Sequence, residues 1–353
     1  MRLPPLPTVS EIVHLYQLTA RKQLAQNFLL DMNLTRKVVR KAGSLKGGFV
    51  CEVGPGPGGI TRSILNTDAK QVVVVEKDRR FIPGLQMLAD ACEDRMKIVH
   101  GDILQTKMEQ IIPETYKVPW EDNPPNVHII GNLPFNISTP LIVQWLEDIA
   151  SQSGAWSYGR TKLTLTFQKE VAQRMVAPIS SDMRCRLSVM CQYLCDVSIK
   201  FEIPGKAFTP APKVDVGVVH FVPLVKPRIN LPFKMVEKVC RHVFHYRQKM
   251  IKHSVATLFP VDMPELTAEM FERSDLDPSS RPPELKMQDI NKLCNAYNEI
   301  CHQHPFIFDF DYRSKKHAKL WRRGRNTLTE KLEERISVDL PDSSNYTEEI
   351  PAR

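Results

Sequence analysis

Hydrophobic and polar positions follow two different rhythms along this chain, and the change between them divides it. From about residue 49 to residue 223, short unbroken apolar runs alternate with stretches of helical spacing. Phe49-Val50-Cys51-Glu52-Val53, Val72-Val73-Val74-Val75, Met96-Lys97-Ile98-Val99 and Val127-His128-Ile129-Ile130 each read as a buried strand. Residues 163–167, 187–193 and 216–221 read as later strands. Strands alternating with helices predict a mostly parallel, doubly wound sheet and therefore an α/β fold. After a linker at 222–232, residues 233–258, 264–274 and 287–302 keep helical spacing without strands, which predicts a small all-α domain. Residues 1–20 read as an arm, with helical periodicity from Glu11 to Leu18. Residues 112–126, carrying Pro113, Pro119, Pro124 and Pro125, read as an irregular surface insertion.

In an open α/β sheet, ligands sit beyond the carboxyl ends of the strands, so polar groups at those ends would line one crevice. Here four successive ends carry them. The first strand runs into Gly54-Pro55-Gly56-Pro57-Gly58-Gly59, followed by helical spacing over 60–65 with Thr61 near its start. That layout lets backbone approach a ligand closely. The spacing is Glu-x-Gly-x-Gly-x-Gly from Glu52, and no Lys-Ser or Lys-Thr pair follows, which argues against a phosphate-gripping loop. The second strand ends in Glu76, about twenty residues past Gly56, where an acid suits ribose hydroxyls or simply a solvated strand end. The third ends at Gly101-Asp102, whose carboxylate either accepts from an adenine amino group or caps the next helix. The fourth leads to Asn132-Leu133-Pro134-Phe135.

Asn-Pro turns are often plain loops. This one also combines a carbonyl-bearing side chain, a stiff turn and an aromatic platform, the parts needed to methylate an exocyclic amine on a flat base. The lone pair of such an amine is delocalised into the ring, so the nitrogen must pyramidalise before it attacks. Acceptors set out of the ring plane favour that geometry, and the Asn132 side-chain oxygen and the Leu133 carbonyl are the expected pair, with Pro134 stiffening the turn. Together the four ends imply an adenosine-containing cofactor without a phosphate clamp, S-adenosyl-L-methionine rather than NAD. Phe135 and Phe208 are expected to clamp the two faces of a base that has left its stack. Phe208 sits in a Pro-rich loop where burial is not expected, whereas Phe28 reads as core.

Further segments turn this layout into a resemblance. Gln26-Asn27-Phe28-Leu29, Glu52 to Gly58, Glu76-Lys77, Gly101-Asp102, Asn132 to Phe135, Phe167-Gln168-Lys169-Glu170-Val171 and Phe208-Thr209-Pro210-Ala211-Pro212-Lys213-Val214-Asp215 occur in that order. Over roughly residues 20–300 the chain resembles the rRNA adenine N6,N6-dimethyltransferases, which modify two adjacent adenosines near the 3′ end of small-subunit rRNA. The opening Arg2-Leu3-Pro4-Pro5-Leu6-Pro7 and residues 120–132 look most like the mitochondrial members. The resemblance implies a Rossmann-like class I methyltransferase sheet over residues 21–225, a helical RNA-binding domain over 226–310 and a basic, then polar tail over 311–353. It implies a monomer of the mitochondrial matrix acting on an rRNA hairpin or an immature small subunit, in support of subunit assembly, with the mitochondrial transcription machinery as a further partner. Gln26 and Leu29 would close over the cofactor, Gly54 would lie under its amino-acid portion, Glu76 would hold the ribose, and Asp102 and Ile103 would recognise the adenine. Asn27, Glu52, Gly56, Lys77 and Asn132 complete the expected cofactor contacts. The chain departs from the pattern at Phe135, where the family often has Tyr, at Val216, where it has Ser, and at Arg247-Gln248-Lys249, where it has Arg-Arg-Lys. None of these removes a group that methyl transfer needs.

Composition adds less. The 353 residues carry a net charge of +8, which favours a polyanionic partner. No apolar stretch approaches the ~18 residues of a membrane span. Of the eight cysteines none forms Cys-x-x-Cys, so free thiols are expected and no metal site; Cys240, His242 and His245 share one apparent helix without a second half-site. The first thirty residues hold a single acid, Glu11, against Arg2, Arg21 and Lys22, which gives them some transit-peptide character, although Pro4, Pro5 and Pro7 are poor for an amphipathic leader. Between Arg313 and Arg325, seven cations and Trp321 occur without an acid, either a solvated helix face or an RNA-phosphate contact. Residues 341–353 read as a disordered polar tail. Two rivals are a DNA adenine methyltransferase, disfavoured by Leu133 where a Pro would stand, and a non-catalytic nucleic-acid-binding or transcription-assisting protein, disfavoured by the intact glycine turn and Asn132.

Overall fold

The computed structural model describes residues 4–21 and 26–314, divided into two compact units between Phe233 and Lys234. The first unit opens with α1 (Val9–Leu15), β1 (Phe28–Leu29) and α2 (Met32–Lys41). Thr8 starts α1 with a reciprocal cap: its hydroxyl accepts from the Glu11 amide at 3.2 Å, and the Glu11 carboxylate accepts from the Thr8 amide at 2.6 Å. This segment is not a free arm, because Ile12 and Leu18 give it an apolar face that joins the core containing Phe28, Leu29 and Phe81.

Strand and helix then alternate. β2 (Phe49–Val53), α3 (Gly59–Leu65), β3 (Gln71–Glu76), α4 (Ile82–Asp90) and β4 (Met96–His100) form the first half. After the irregular residues 112–126 come β5 (Val127–Gly131), α5 (Phe135–Ala150) and β6 (Lys162–Gln168). All four pairings among β2 to β6 are parallel, and β2 and β5 are buried along their whole length, which accounts for their unbroken apolar runs. β2 lies between β3 and β5, so strand order reverses there. That reversal opens a crevice beyond the ends of β2 and β5. The 112–126 insertion is held from beneath by Arg160, which donates to the carbonyls of Trp120 at 3.0 Å and Asp122 at 2.6 Å.

The far edge of the sheet departs from the sequence expectation. α6 (Lys169–Val176) is followed by α7 (Arg186–Leu194), so residues 187–193 are helical and not a strand. A short apolar run buried on most sides does not distinguish the two, and α7 buries Val189, Met190, Cys191, Tyr193 and Leu194. The strand comes directly after it, as β7 (Cys195–Ile203). β8 (Phe208–Thr209) pairs antiparallel with β1, and β9 (Val216–Pro223) runs antiparallel between β6 and β7. The seven-stranded order is β4-β3-β2-β5-β6-β9-β7.

The second unit contains α8 (Phe233–Val243) from its second residue on, α9 (Ile251–Val255), α10 (Glu265–Ser274), α11 (Met287–Gln303) and α12 (Phe306–Asp309), with no strand among the described residues. Val236, Val239, Leu258, Ile290, Leu293 and Ile300 are among its buried residues. Lys238 is buried with its ammonium donating to the carbonyls of Ile307, Phe308 and Phe310 at the end of the short α12. The eight cysteines are free thiols, and among the described residues no cluster could hold a metal ion and no helix is long and apolar enough to cross a membrane. Of the basic run only Arg313 is described, bonded to His245 at 2.7 Å; its remaining cations, the 341–353 tail, Arg2, Leu3 and Lys22 lie outside the described residues.

Candidate active site

The glycine turn after β2 is shaped by two close approaches. Gly56 has φ +54°, a backbone state most side chains avoid, and its amide donates to Glu76 Oε2 at 3.0 Å. At Gly59 a Cβ would stand 2.6 Å from the Leu29 carbonyl oxygen, so only glycine lets β1 pass over the start of α3. The other Glu76 oxygen accepts from the Asp78 amide at 2.7 Å. Glu76 is therefore buried but tied to backbone on both oxygens, and each oxygen keeps lone-pair capacity for a hydroxyl partner. Burial raises its pKa, against the hydrogen bonds from Asp78 and Gly56.

Two cavities open at this rim and share Gln26, Gly54, Glu76, Leu133 and Pro134. Asn27, Leu29, Glu52, Gly56, Asn132 and Phe135 line the first, and Lys77, Asp102 and Ile103 the second. Every site residue expected from the sequence thus faces one of the two, with the exception of Phe208. Phe208 is buried, pairs with Leu29 across β1 and β8 and belongs to the apolar core, so it has no free face for a base. The Pro-rich loop does not expose it because β8 is tied down by β1. Phe135, at the start of α5, is only partly buried and does line the cavity.

Asn132 lies just past β5, and both ends of its amide are held. Nδ2 donates to the Asn27 carbonyl at 3.0 Å, and Oδ1 takes the Thr166 hydroxyl at 2.8 Å. A carbonyl oxygen only accepts, so the nitrogen must face Asn27 and the oxygen must face Thr166. Thr166, on β6, was missed from the sequence; it reads there as one position of a buried strand.

Asp78 was missed as well. It accepts from Gln26 Nε2 at 3.2 Å and from Arg80 Nη2 at 2.6 Å, and the Arg80 hydrogen bonds hold its carboxyl down at about 2. Arg80 also donates to the Thr19 carbonyl at 3.0 Å. Gln26 is thereby fixed at the cavity mouth. Its acid signal directly follows Glu76-Lys77 and was readable. Asp102 takes Lys77 Nζ at 2.7 Å and the Leu104 amide at 3.1 Å, so it makes a turn-type backbone bond and also lines the cavity; Lys77 is the main cause of its lowered pKa.

Glu52 is the least satisfied group in the site. Its Oε2 is buried without a hydrogen-bond partner, and burial pushes its pKa up to about 8. A buried acid with one oxygen unbonded, next to Glu76, is a counterpart for a cation, whose charge would favour its ionised form. S-adenosylmethionine presents a sulfonium and an ammonium, and these residues fit it.

A family profile described as ribosomal RNA adenine dimethylase matches residues 17–298. The chain is 57% identical over 315 residues to dimethyladenosine transferase 1, mitochondrial, of Xenopus tropicalis, covering 89% of this chain and 91% of that protein. It is 56% identical over 315 residues to the protein of the same name from Homo sapiens, with 89% and 91% covered. Among solved structures, a dimethyladenosine transferase from Plasmodium falciparum superposes with a TM-score of 0.60 at 22% identity, covering 76% of this chain and 96% of that one. The 23S rRNA methyltransferase ErmE gives 0.53 at 20% identity, covering 77% of this chain and 100% of that one, and both likenesses bear on the fold alone. From the profile match and the identity to these relatives, the chain belongs to the ribosomal RNA adenine dimethylase family, and is an rRNA adenine dimethyltransferase that uses S-adenosylmethionine.

Proposed function

We propose that this enzyme places two methyl groups on each of two adjacent adenosines in the 3′-terminal hairpin of mitochondrial small-subunit rRNA, as free RNA or within an immature subunit. It would act as a monomer in the mitochondrial matrix, in support of subunit assembly. The names of the mitochondrial relatives support the compartment, and the net charge of +8 suits an RNA partner.

The observation that carries the reading is Asn132, whose amide is fixed in one orientation at the cavity wall beside Phe135. Glu76 bonds the ribose and Glu52 the ammonium of the cofactor, while Asp102 and Ile103 recognise its adenine. S-adenosylmethionine supplies a methyl already activated by the sulfonium charge. The protein's task is then to prepare the nucleophile. Asn132 Oδ1 and the Leu133 carbonyl accept the two N6 protons of the target adenine out of the ring plane, and Phe135 stacks on one face of the base, a contact worth ~1–3 kcal/mol. No strong base is needed, because the N6 proton becomes acidic only once the methyl has transferred. Most of the acceleration comes from holding nitrogen, methyl and sulfur in line.

The test is Asn132→Ala with labelled cofactor and an RNA hairpin carrying two adjacent adenosines. The single-turnover rate is expected to fall 100- to 1000-fold, about 3–4 kcal/mol of lost transition-state stabilisation. Cofactor affinity should change only a few-fold. Wild-type methylation by Asn132→Ala would show that the tetrad does not carry the chemistry.

A further inference from the structure

β6 carries its hydroxyls on one face. Thr164 and Thr166 are both fully buried in a strand whose other inner residues are Leu163, Leu165 and Phe167. A buried hydroxyl is costly unless bonded. Thr164 is satisfied by His220 at 2.9 Å, away from the site. Thr166 is satisfied by Asn132 Oδ1 at 2.8 Å.

From this pairing we infer that Thr166 is a positioning residue for methyl transfer, acting through Asn132 and needed most for the second methyl. This rests on the reading of Asn132 given above. An amide oxygen has two lone pairs in the plane of its group. The Thr166 hydroxyl occupies one of them, and the Asn27 carbonyl anchors the opposite end of the amide. With both ends held, the amide plane cannot turn, and the remaining lone pair has a single direction in which to meet an N6 proton. Without the hydroxyl, the nitrogen end alone would hold the amide, which could then swing about its bond to the chain.

The two methylations make unequal use of this. In the first, N6 offers two protons to two acceptors, Asn132 Oδ1 and the Leu133 carbonyl. The first transfer forms a nitrogen–carbon bond, breaks the sulfur–carbon bond and releases one of those protons to solvent. N6 then has one proton left, so one hydrogen bond must keep the nitrogen out of the ring plane. An acceptor free to wander slows that second step more than the first.

The test uses the full chain, S-adenosylmethionine and a hairpin RNA with two adjacent adenosines. Thr166→Val keeps the shape and removes the hydroxyl, and Thr166→Ser keeps the hydroxyl. Thr166→Val is expected to lower kcat about tenfold, the scale of one hydrogen bond, with KM for RNA and cofactor within about twofold, and to accumulate monomethyladenosine. Thr166→Ser is expected to restore both rate and product ratio, and in an Asn132→Ala background Thr166→Val is expected to add no further loss. A hydroxyl that merely fills a strand would leave the product ratio unmoved. The inference is overturned by a Thr166→Val enzyme with wild-type rate and ratio, by a Thr166→Ser enzyme as impaired as the valine, or by an equal extra loss without Asn132. If Asn132→Ala is inactive while Thr166→Val is normal, only the role of Thr166 falls; if Asn132→Ala is fully active, the reading beneath it falls first.

Discussion

The two halves of the cavity rim are built from opposite chemistry. At or just past the ends of β2, β3 and β4 stand Glu52, Glu76, Asp78 and Asp102, all acids. Beyond β5 and β6 stand Asn132, Pro134, Phe135 and, behind them, Thr166, none of them charged. On the proposed reading the first half would take a cation, for which acidic groups are the natural counterpart. The second half would take a neutral aromatic amine, and there a charge would be buried beside a base with nothing to neutralise it. Its need is for direction instead, which an amide fixed at both ends supplies. The groups differ in who satisfies them as well. Glu76 and Asp102 are met by backbone amides, one two residues on in each case and the Gly56 amide twenty residues before Glu76, whereas Asn132 is met by groups 105 and 34 residues away.

If this division holds, neutralising the acidic half should harm binding and leave chemistry alone. Glu76→Gln keeps the shape but turns an NH2 toward one of the amides of Gly56 and Asp78, and removes the charge. The Kd for S-adenosylmethionine is expected to rise about 100-fold, or ~2.7 kcal/mol, while the rate at saturating cofactor stays within about threefold. Calorimetry with single-turnover assays measures both. An unchanged Kd, or a rate that falls with it, would erase the distinction between the halves.

Glu52 sharpens the same contrast through pH. Its ordinary pKa of 4.5 is pushed to about 8 in the fold. The folded protein therefore binds a proton that the unfolded chain has already lost, and the stability linked to that proton is complete below about 4.5 and lost as pH rises through about 8. Without cofactor, the Tm should fall between pH 7 and pH 8.5 more steeply in the wild type than in Glu52→Gln. Affinity for the cationic cofactor should move the other way, tightening by at most about tenfold per pH unit as Glu52 ionises. Depressed histidines such as His128, near 4, titrate below this window. Parallel pH curves for the two proteins would mean that Glu52 is not the group responsible.

The acidic half was the more legible in the sequence, and the reason is topological. In a parallel sheet, strand ends and their loops are contiguous in sequence, so Glu52, Glu76 and Asp102 announce themselves at the ends of apolar runs. Asn132 was readable in the same way. What could not be read is whatever depends on a partner from elsewhere: Thr166 is a routine strand residue until β5 and β6 are placed side by side, and Phe208 looks exposed until two residues of β8 pair with β1. The packing of Ile12 and Leu18 had the same origin. α7 was misread for a different cause, since a run with little polar interruption is compatible with either period. In the second unit the helical spacing survived well, because amphipathic helices record burial within their own sequence.

The smallest expected effect concerns the more exposed of the two pairings, Asp78–Arg80 and Asp102–Lys77, in which a side chain already neutralises the acidic half. Lys77 is mostly exposed, its side chain 65% accessible, and lies 2.7 Å from Asp102. Surface pairs of this kind contribute ~0–1 kcal/mol, so Lys77→Met should leave the fold intact. It frees Asp102 Oδ2 for the cofactor's adenine amine while the Leu104 amide continues to hold Oδ1, and it removes one positive charge near a cationic ligand. Both changes act in the same direction: the Kd should tighten, by no more than about threefold, and the change should shrink as salt is raised. A loss of tenfold or more would place Lys77 in contact with the cofactor. The acidic half would then hold its ligand with a cation among the carboxylates, and the clean separation of a charged, holding side from a neutral, aiming side would have to give way at this position.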